Sequence, residues 1–95
     1  MAPDIVAAIP RDPYVVRVLF ADGEVRDVDI EPLLDGPVFE PLRDPVEFIK
    51  VGVDPETHTI TWPNGADLDP DVLYDPTLRP ASGRGPRITM LSPAA

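Results

Sequence analysis

The sequence predicts a small α+β domain, dominated by antiparallel strands and hairpins, with one or two short helices and a disordered C-terminal tail. Three observations carry that expectation. Fourteen prolines in 95 residues exclude long helices, because an interior proline removes a donor and costs about 3 kcal/mol. Short runs of β-branched and aromatic residues recur between turn residues. The best of them, Tyr14 to Phe20, leads into Asp22-Gly23, the strongest short-range hairpin signal. All six aromatic residues lie between Tyr14 and Tyr74, so the core belongs to a single domain over 1–74. Residues 75–95 then form a proline- and glycine-rich tail.

Taken in order, residues 4–9 form a first strand stopped by Pro10, and Arg11-Asp12-Pro13 a turn. In the second strand Tyr14, Val16, Val18 and Phe20 share one face, by the two-residue period of a strand. Gly23 supplies the positive φ of the hairpin, and the return strand runs from Glu24 to Ile30. Val28 and Ile30 are in phase there and Val25 is not, so a β-bulge near Arg26-Asp27 is expected to restore the inward direction.

Residues 31–45 carry four prolines together with Leu33, Leu34, Val38, Phe39 and Leu42, more apolar content than a surface loop needs. They read as helical turns packed over the sheet. Asp44-Pro45-Val46-Glu47 has the chemistry of a helix start, with Asp at the N-cap, Pro at the first helical position and Glu at the third. A strand over 48–53, a turn at 54–58 and a return strand from Thr59 to Trp62 follow, ended by Pro63, which cannot donate to a ladder. Asp69-Pro70-Asp71 repeats the helix-start pattern. In the tail, Ile88-Thr89-Met90-Leu91 is the one apolar patch, a candidate docking segment.

The stretch from Thr59 to Leu68 anchors this arrangement. It holds the only tryptophan, Trp62, at a strand end, followed at once by Pro63-Asn64-Gly65. Trp62, Asn64, Asp67, Asp69 and Asp71 are the candidate interaction residues. Asp67, Asp69 and Asp71 place carboxylates at every second position, and oxygen ligands so spaced can gather Ca²⁺ or Mg²⁺. The glycine and glutamate of a calcium loop are missing, so capping and turn bonds account for the same residues. Asn64-Gly65 could present a ligand loop against the Trp62 face, or simply permit the turn while the indole covers the core. Exposure of Trp62 separates the two.

Seventeen acidic side chains against eight basic ones give a formal charge of −9. Residues 1–74 hold 16 acids and five bases, and 75–95 one acid and three bases. So acidic a body repels phosphate backbones, which argues against direct nucleic-acid binding; the charge either serves only to keep the protein dispersed or suits a basic protein partner. Absence of cysteine excludes disulfides and thiolate ligands. No run approaches the ~20 apolar residues of a membrane span and no basic-then-apolar start is present, so the cytoplasm is the expected compartment and no membrane partner is expected. His58, the only histidine, falls in a turn near Asp54 and Glu56, and no serine precedes residue 82. Neither a nucleophile with its base nor a glycine-rich phosphate loop is present. The chain is therefore expected not to be an enzyme and to need no cofactor.

Phe20-x-Asp22-Gly23, Val28-Asp29, Leu33-Leu34, Phe39-x-x-Leu42 and above all Trp62-Pro63-Asn64-Gly65-Ala66-Asp67-Leu68 together resemble a bacterial family catalogued as domain of unknown function 2442. The resemblance covers roughly Ile5 to Tyr74. It implies a small α+β fold of antiparallel strands, found alone or fused to a helix-turn-helix. Family members often sit beside another small family in an arrangement read as toxin–antitoxin, in the antitoxin role, with no established catalytic residue. Here only 21 residues follow Tyr74, too proline-rich for a helix-turn-helix, so any DNA would be reached through a partner.

The expectation is a non-enzymatic interaction domain, an antitoxin-like or regulatory subunit that binds a toxin-like or other protein partner. The alternative is a small-molecule or divalent-metal module centred on Trp62 to Asp71. Self-association stays open, because an edge strand that recruits a partner can recruit its own copy.

Overall fold

The computed structural model describes residues 2–75 and 85–91. Its main sheet has four antiparallel strands in the order β1-β2-β3-β6, formed by β1 (Ile5–Arg11), β2 (Val15–Phe20), β3 (Val25–Asp29) and β6 (Arg87–Met90). A second antiparallel pair joins β4 (Gly52–Val53) to β5 (Ile60–Thr61). The short helices are α1 (Gly36–Phe39), α2 (Pro45–Phe48) and α3 (Pro70–Tyr74), with 3-10 turns at Glu31–Leu33 and Glu40–Arg43. The expected α+β class is the one observed. Among the described residues no helix is long and apolar enough to cross a membrane.

The hairpin forms at Asp22-Gly23 as the residues dictate. Gly23 takes φ +90°, its N–H donates to the Phe20 carbonyl at 3.0 Å, and Asp22 Oδ1 accepts the Glu24 N–H at 3.0 Å. Val16, Val18 and Phe20 are all buried on one face of β2, with Val28 beside them on β3 and Ile5 on β1. Leu34, Leu42, Phe48, Ile60, Trp62 and Leu73 close over that face from residues 31–75. Each such side chain contributes about 1.5–3 kcal/mol when removed from water. Asp44 caps α2 through Val46 N–H at 3.0 Å, and Asp69 caps α3 through Asp71 N–H at 2.9 Å. Both proline-led helix starts therefore form where the sequence places them.

Three expectations change. β1 runs through Pro10 to Arg11, because an edge strand can absorb a missing donor. The β-bulge lies in β1, between Ile5 and Ala7, and β2 pairs with β3 in unbroken register. β3 needs no bulge, since Arg26 itself points inward and is 3% exposed. Phe48 ends α2, so the strand expected over 48–53 is reduced to Gly52–Val53, in a sheet of its own.

The expected loose tail meets one exception. Residues 76–84 and 92–95 lie outside the described residues, but Arg87–Met90 pairs with β3 as a fourth strand. Ile88 packs against the core there, so the one apolar patch of the tail docks on its own sheet. The composition of the segment hid this, because strand pairing needs backbone and one apolar contact rather than an aromatic core.

Candidate functional site

The segment from Thr59 to Asp71 folds into a knot of local bonds. Trp62 N–H donates to the Ala66 carbonyl at 2.9 Å and Gly65 N–H to the Trp62 carbonyl at 3.0 Å, with Gly65 at φ +91°. Asn64 works on both sides of the turn. Its Oδ1 accepts Ala66 N–H at 3.1 Å and its Nδ2 donates to the Val38 carbonyl at 2.9 Å, reaching α1. The Thr61 hydroxyl donates to the Ala66 carbonyl at 2.9 Å, and the Thr59 hydroxyl to that of Leu68.

Trp62 is 2% exposed. Its Nε1–H donates to the Phe48 carbonyl at 3.0 Å, and its ring lies 6.1 Å from Phe48 and 6.5 Å, edge-on, from Phe39. A buried, hydrogen-bonded indole organises a core and offers a ligand no ring face. The carboxylates are similarly occupied. Asp69 caps α3, and Asp71 Oδ1 accepts the Ala2 N–H at 2.6 Å. Asp67 is exposed and bridges its backbone to Thr61. Among the described residues, no three of His, Cys, Asp and Glu are placed to hold a metal ion. Asn64, Asp67 and Asp69 remain on the surface, so of the five singled-out residues these present the most to a partner.

His58 is exposed and takes φ 58°. Its backbone closes the β4–β5 turn, donating to the Asp54 carbonyl at 2.8 Å and accepting Ile5 N–H at 3.0 Å. Asp54 Oδ1 accepts the backbone N–H groups of Glu56 and Thr57. That carboxylate thus shapes the turn.

Sequence reasoning missed the buried arginine. Arg26 lies over an edge-on pair of rings, 4.8 Å from the Tyr74 centroid and 5.9 Å from that of Phe20. Its Nη1 donates to Glu24 at 2.8 Å, and the Tyr74 hydroxyl donates to Asp22 Oδ2 at 2.6 Å. That hydroxyl holds the Asp22 carboxyl below its ordinary range, and the carboxylate in turn pushes Tyr74 up. The cluster bolts α3 to the β2–β3 hairpin. Its signal was present in the sequence: Arg26 shares the two-residue phase of Val28 and Ile30.

Among the described residues the other face of the sheet is open. Arg17 and Asp27 pair across it through two bonds, at 2.8 and 2.9 Å. This lowers the Asp27 pKa and raises that of Arg17. Arg87 Nη1 donates to Asp29 at 3.1 Å. Ile9, Val6 and Leu19 are exposed apolar side chains of β1 and β2. A surface cleft of about 370 Å³ lies at the end of the β1–β2 hairpin, lined by Pro10, Arg11, Asp12, Pro13, Pro45, Phe48 and Ile49. It contains one acid, one base and no hydroxyl or thiol nucleophile.

Charge separates by layer. Residues 31–75, which cover the inner face of the sheet, hold 11 acidic and two basic side chains, a net of −9. The other described residues, 2–30 and 85–91, hold six acidic and four basic side chains, a net of −2.

Fold and surface together define a small α+β domain with a sealed aromatic core, one strongly acidic layer and one open sheet face. The chain belongs to the family described as "Protein of unknown function (DUF2442)", whose model matches residues 5–78. No curated protein matches the chain, and no solved structure does.

Proposed function

We propose that this domain is a non-enzymatic interaction module, an antitoxin-like or regulatory subunit that binds a basic protein partner. The observation that carries the reading is the uneven layering of charge: nine net negative charges on residues 31–75 against two on the other described residues. A surface of one sign raises the encounter rate with an oppositely charged protein and disfavours partners of like charge. The residues considered for catalysis or metal binding support the same reading. Asp54, Asp69 and Asp71 accept backbone N–H groups, and His58 serves through its backbone. The antitoxin-like role extends the arrangement that the family resemblance implies.

The test is co-purification of the full chain with the product of the neighbouring gene. Capture at low ionic strength that is lost at about 1 M salt, where the Debye length falls to about 3 Å, supports the reading. A chain that stays monomeric and captures nothing at low salt overturns it.

A further inference from the structure

The family match ends at residue 78, and β6 begins at Arg87. The matched segment thus supplies β1, β2 and β3, and the edge of β3 is filled by a strand from outside it.

That strand is held mainly through its backbone. Leu91 N–H donates to the Val25 carbonyl at 2.9 Å. In an antiparallel ladder this makes Asp27 with Thr89, and Asp29 with Arg87, the hydrogen-bonded pairs. The side chains of β6 add little. Arg87, Thr89 and Met90 are exposed and Ile88 is half-buried, with Pro86 buried just before them. β2 by contrast buries Val16, Val18 and Phe20. Main-chain bonds of this kind can be supplied by any extended segment. Specificity comes from what β3 sets opposite: the Asp29 carboxylate, which accepts from Arg87, and Val28, which faces Ile88. Asp27 is already paired with Arg17.

We propose that the β3 edge is a strand-accepting site and that β6 is its exchangeable occupant. The competing occupant is an extended segment of a partner protein, with a basic residue opposite Asp29 and an apolar one opposite Val28. The chain's own charge favours such a segment: 1–74 carries −11, and the stretch that fills the edge comes from a part carrying +2. This inference rests on the interaction reading above and adds to it where the partner is gripped.

The probe is a fluorescein-labelled peptide of the sequence Gly85–Leu91, with a scrambled peptide beside it. The protein is the full chain, wild type and Thr89→Pro, which removes a donor from the β6 ladder. The variant is expected to keep its cooperative unfolding, followed by Trp62 fluorescence, and to bind the peptide at least about tenfold tighter than wild type. Adding Asp29→Asn, which keeps an acceptor for Glu31 N–H, should weaken that binding several-fold. Loss of cooperative unfolding, no binding by the folded variant, or equal binding of the scrambled peptide each overturns the proposal. In wild type, the Thr89 and Leu91 amides should exchange at least about 100-fold faster than those of Val16 and Val18. Equal protection overturns it as well. A natural partner that is captured while those amides keep their exchange rates would remove this site and leave the interaction reading standing. Failure of both capture and peptide binding removes both.

Discussion

The Trp62 indole donates to the Phe48 carbonyl at 3.0 Å, and this one bond ties the second sheet to the last turn of α2. It lies inside the core, where an unmatched carbonyl cannot turn to water. Trp62→Phe keeps an aromatic body and strands that acceptor. It should cost about 2 kcal/mol, combining a lost buried hydrogen bond with a small cavity. Urea unfolding followed by circular dichroism checks this, with a fall in midpoint and an unchanged slope. An unchanged midpoint would remove the bond's assigned role.

Arg26 tests whether its interior place depends on packing or on charge. Arg26→Ala opens space beside the Phe20 and Tyr74 rings and loosens α3, and is expected to cost about 2–4 kcal/mol. Arg26→Met refills the space without a charge to desolvate and should lose much less, since apolar replacement of buried ions is often tolerated. Equal losses in chemical denaturation would show that the cation itself matters.

Asp22 and Asp27 titrate below the ordinary carboxylate range, Asp22 through the Tyr74 hydroxyl and Asp27 through the Arg17 guanidinium. Groups whose folded pKa is depressed add stability that is complete above their unfolded value, about 3.9, and drains as pH falls through the folded value. Asp27→Asn should therefore flatten the acid limb of a stability–pH curve and leave its alkaline limb unchanged. Tyr74 runs the other way, its pKa being raised by Asp22. Its contribution is full below about 10 and is lost as pH climbs through the folded value. Absorbance titration of the phenolates in wild type and Asp22→Asn reads this directly: the variant's late-titrating tyrosine should move to lower pH.

His58 sits at φ 58°, a conformation that costs a side-chain-bearing residue roughly 1 kcal/mol. His58→Gly should lose no stability, the relief of strain offsetting the greater freedom of the unfolded chain. His58→Val, β-branched, should lose about 1–2 kcal/mol. If thermal unfolding ranks glycine with valine, the residue is held by its side chain and not by its backbone.

Much of this molecule could be read from neighbours in the chain. The Asp22-Gly23 hairpin, the in-phase valines of β2, and the Asp44 and Asp69 caps all depend on residues within a few positions of one another. So does the turn at Asn64-Gly65. Such features survive translation from sequence to structure because their energetics are local. The candidate site was less legible. Trp62, Asn64 and the aspartates were recognised as one group, yet their partners, Phe48, Val38 and Ala2, lie 14, 26 and 69 residues away. Whether an indole is an anchor or a platform depends on what covers it, which its own neighbours do not encode.

From the chain alone came the α+β class, the absence of long helices and thiols, the excess of acid, and the turns and caps. These follow from composition and from short-range sterics and hydrogen bonding. Only the folded molecule could seat Arg26 over Phe20 and Tyr74, place the bulge in β1, and lay Arg87–Met90 against β3. Each of those joins residues far apart in sequence. Their favourable energy appears only once the intervening chain has been brought together.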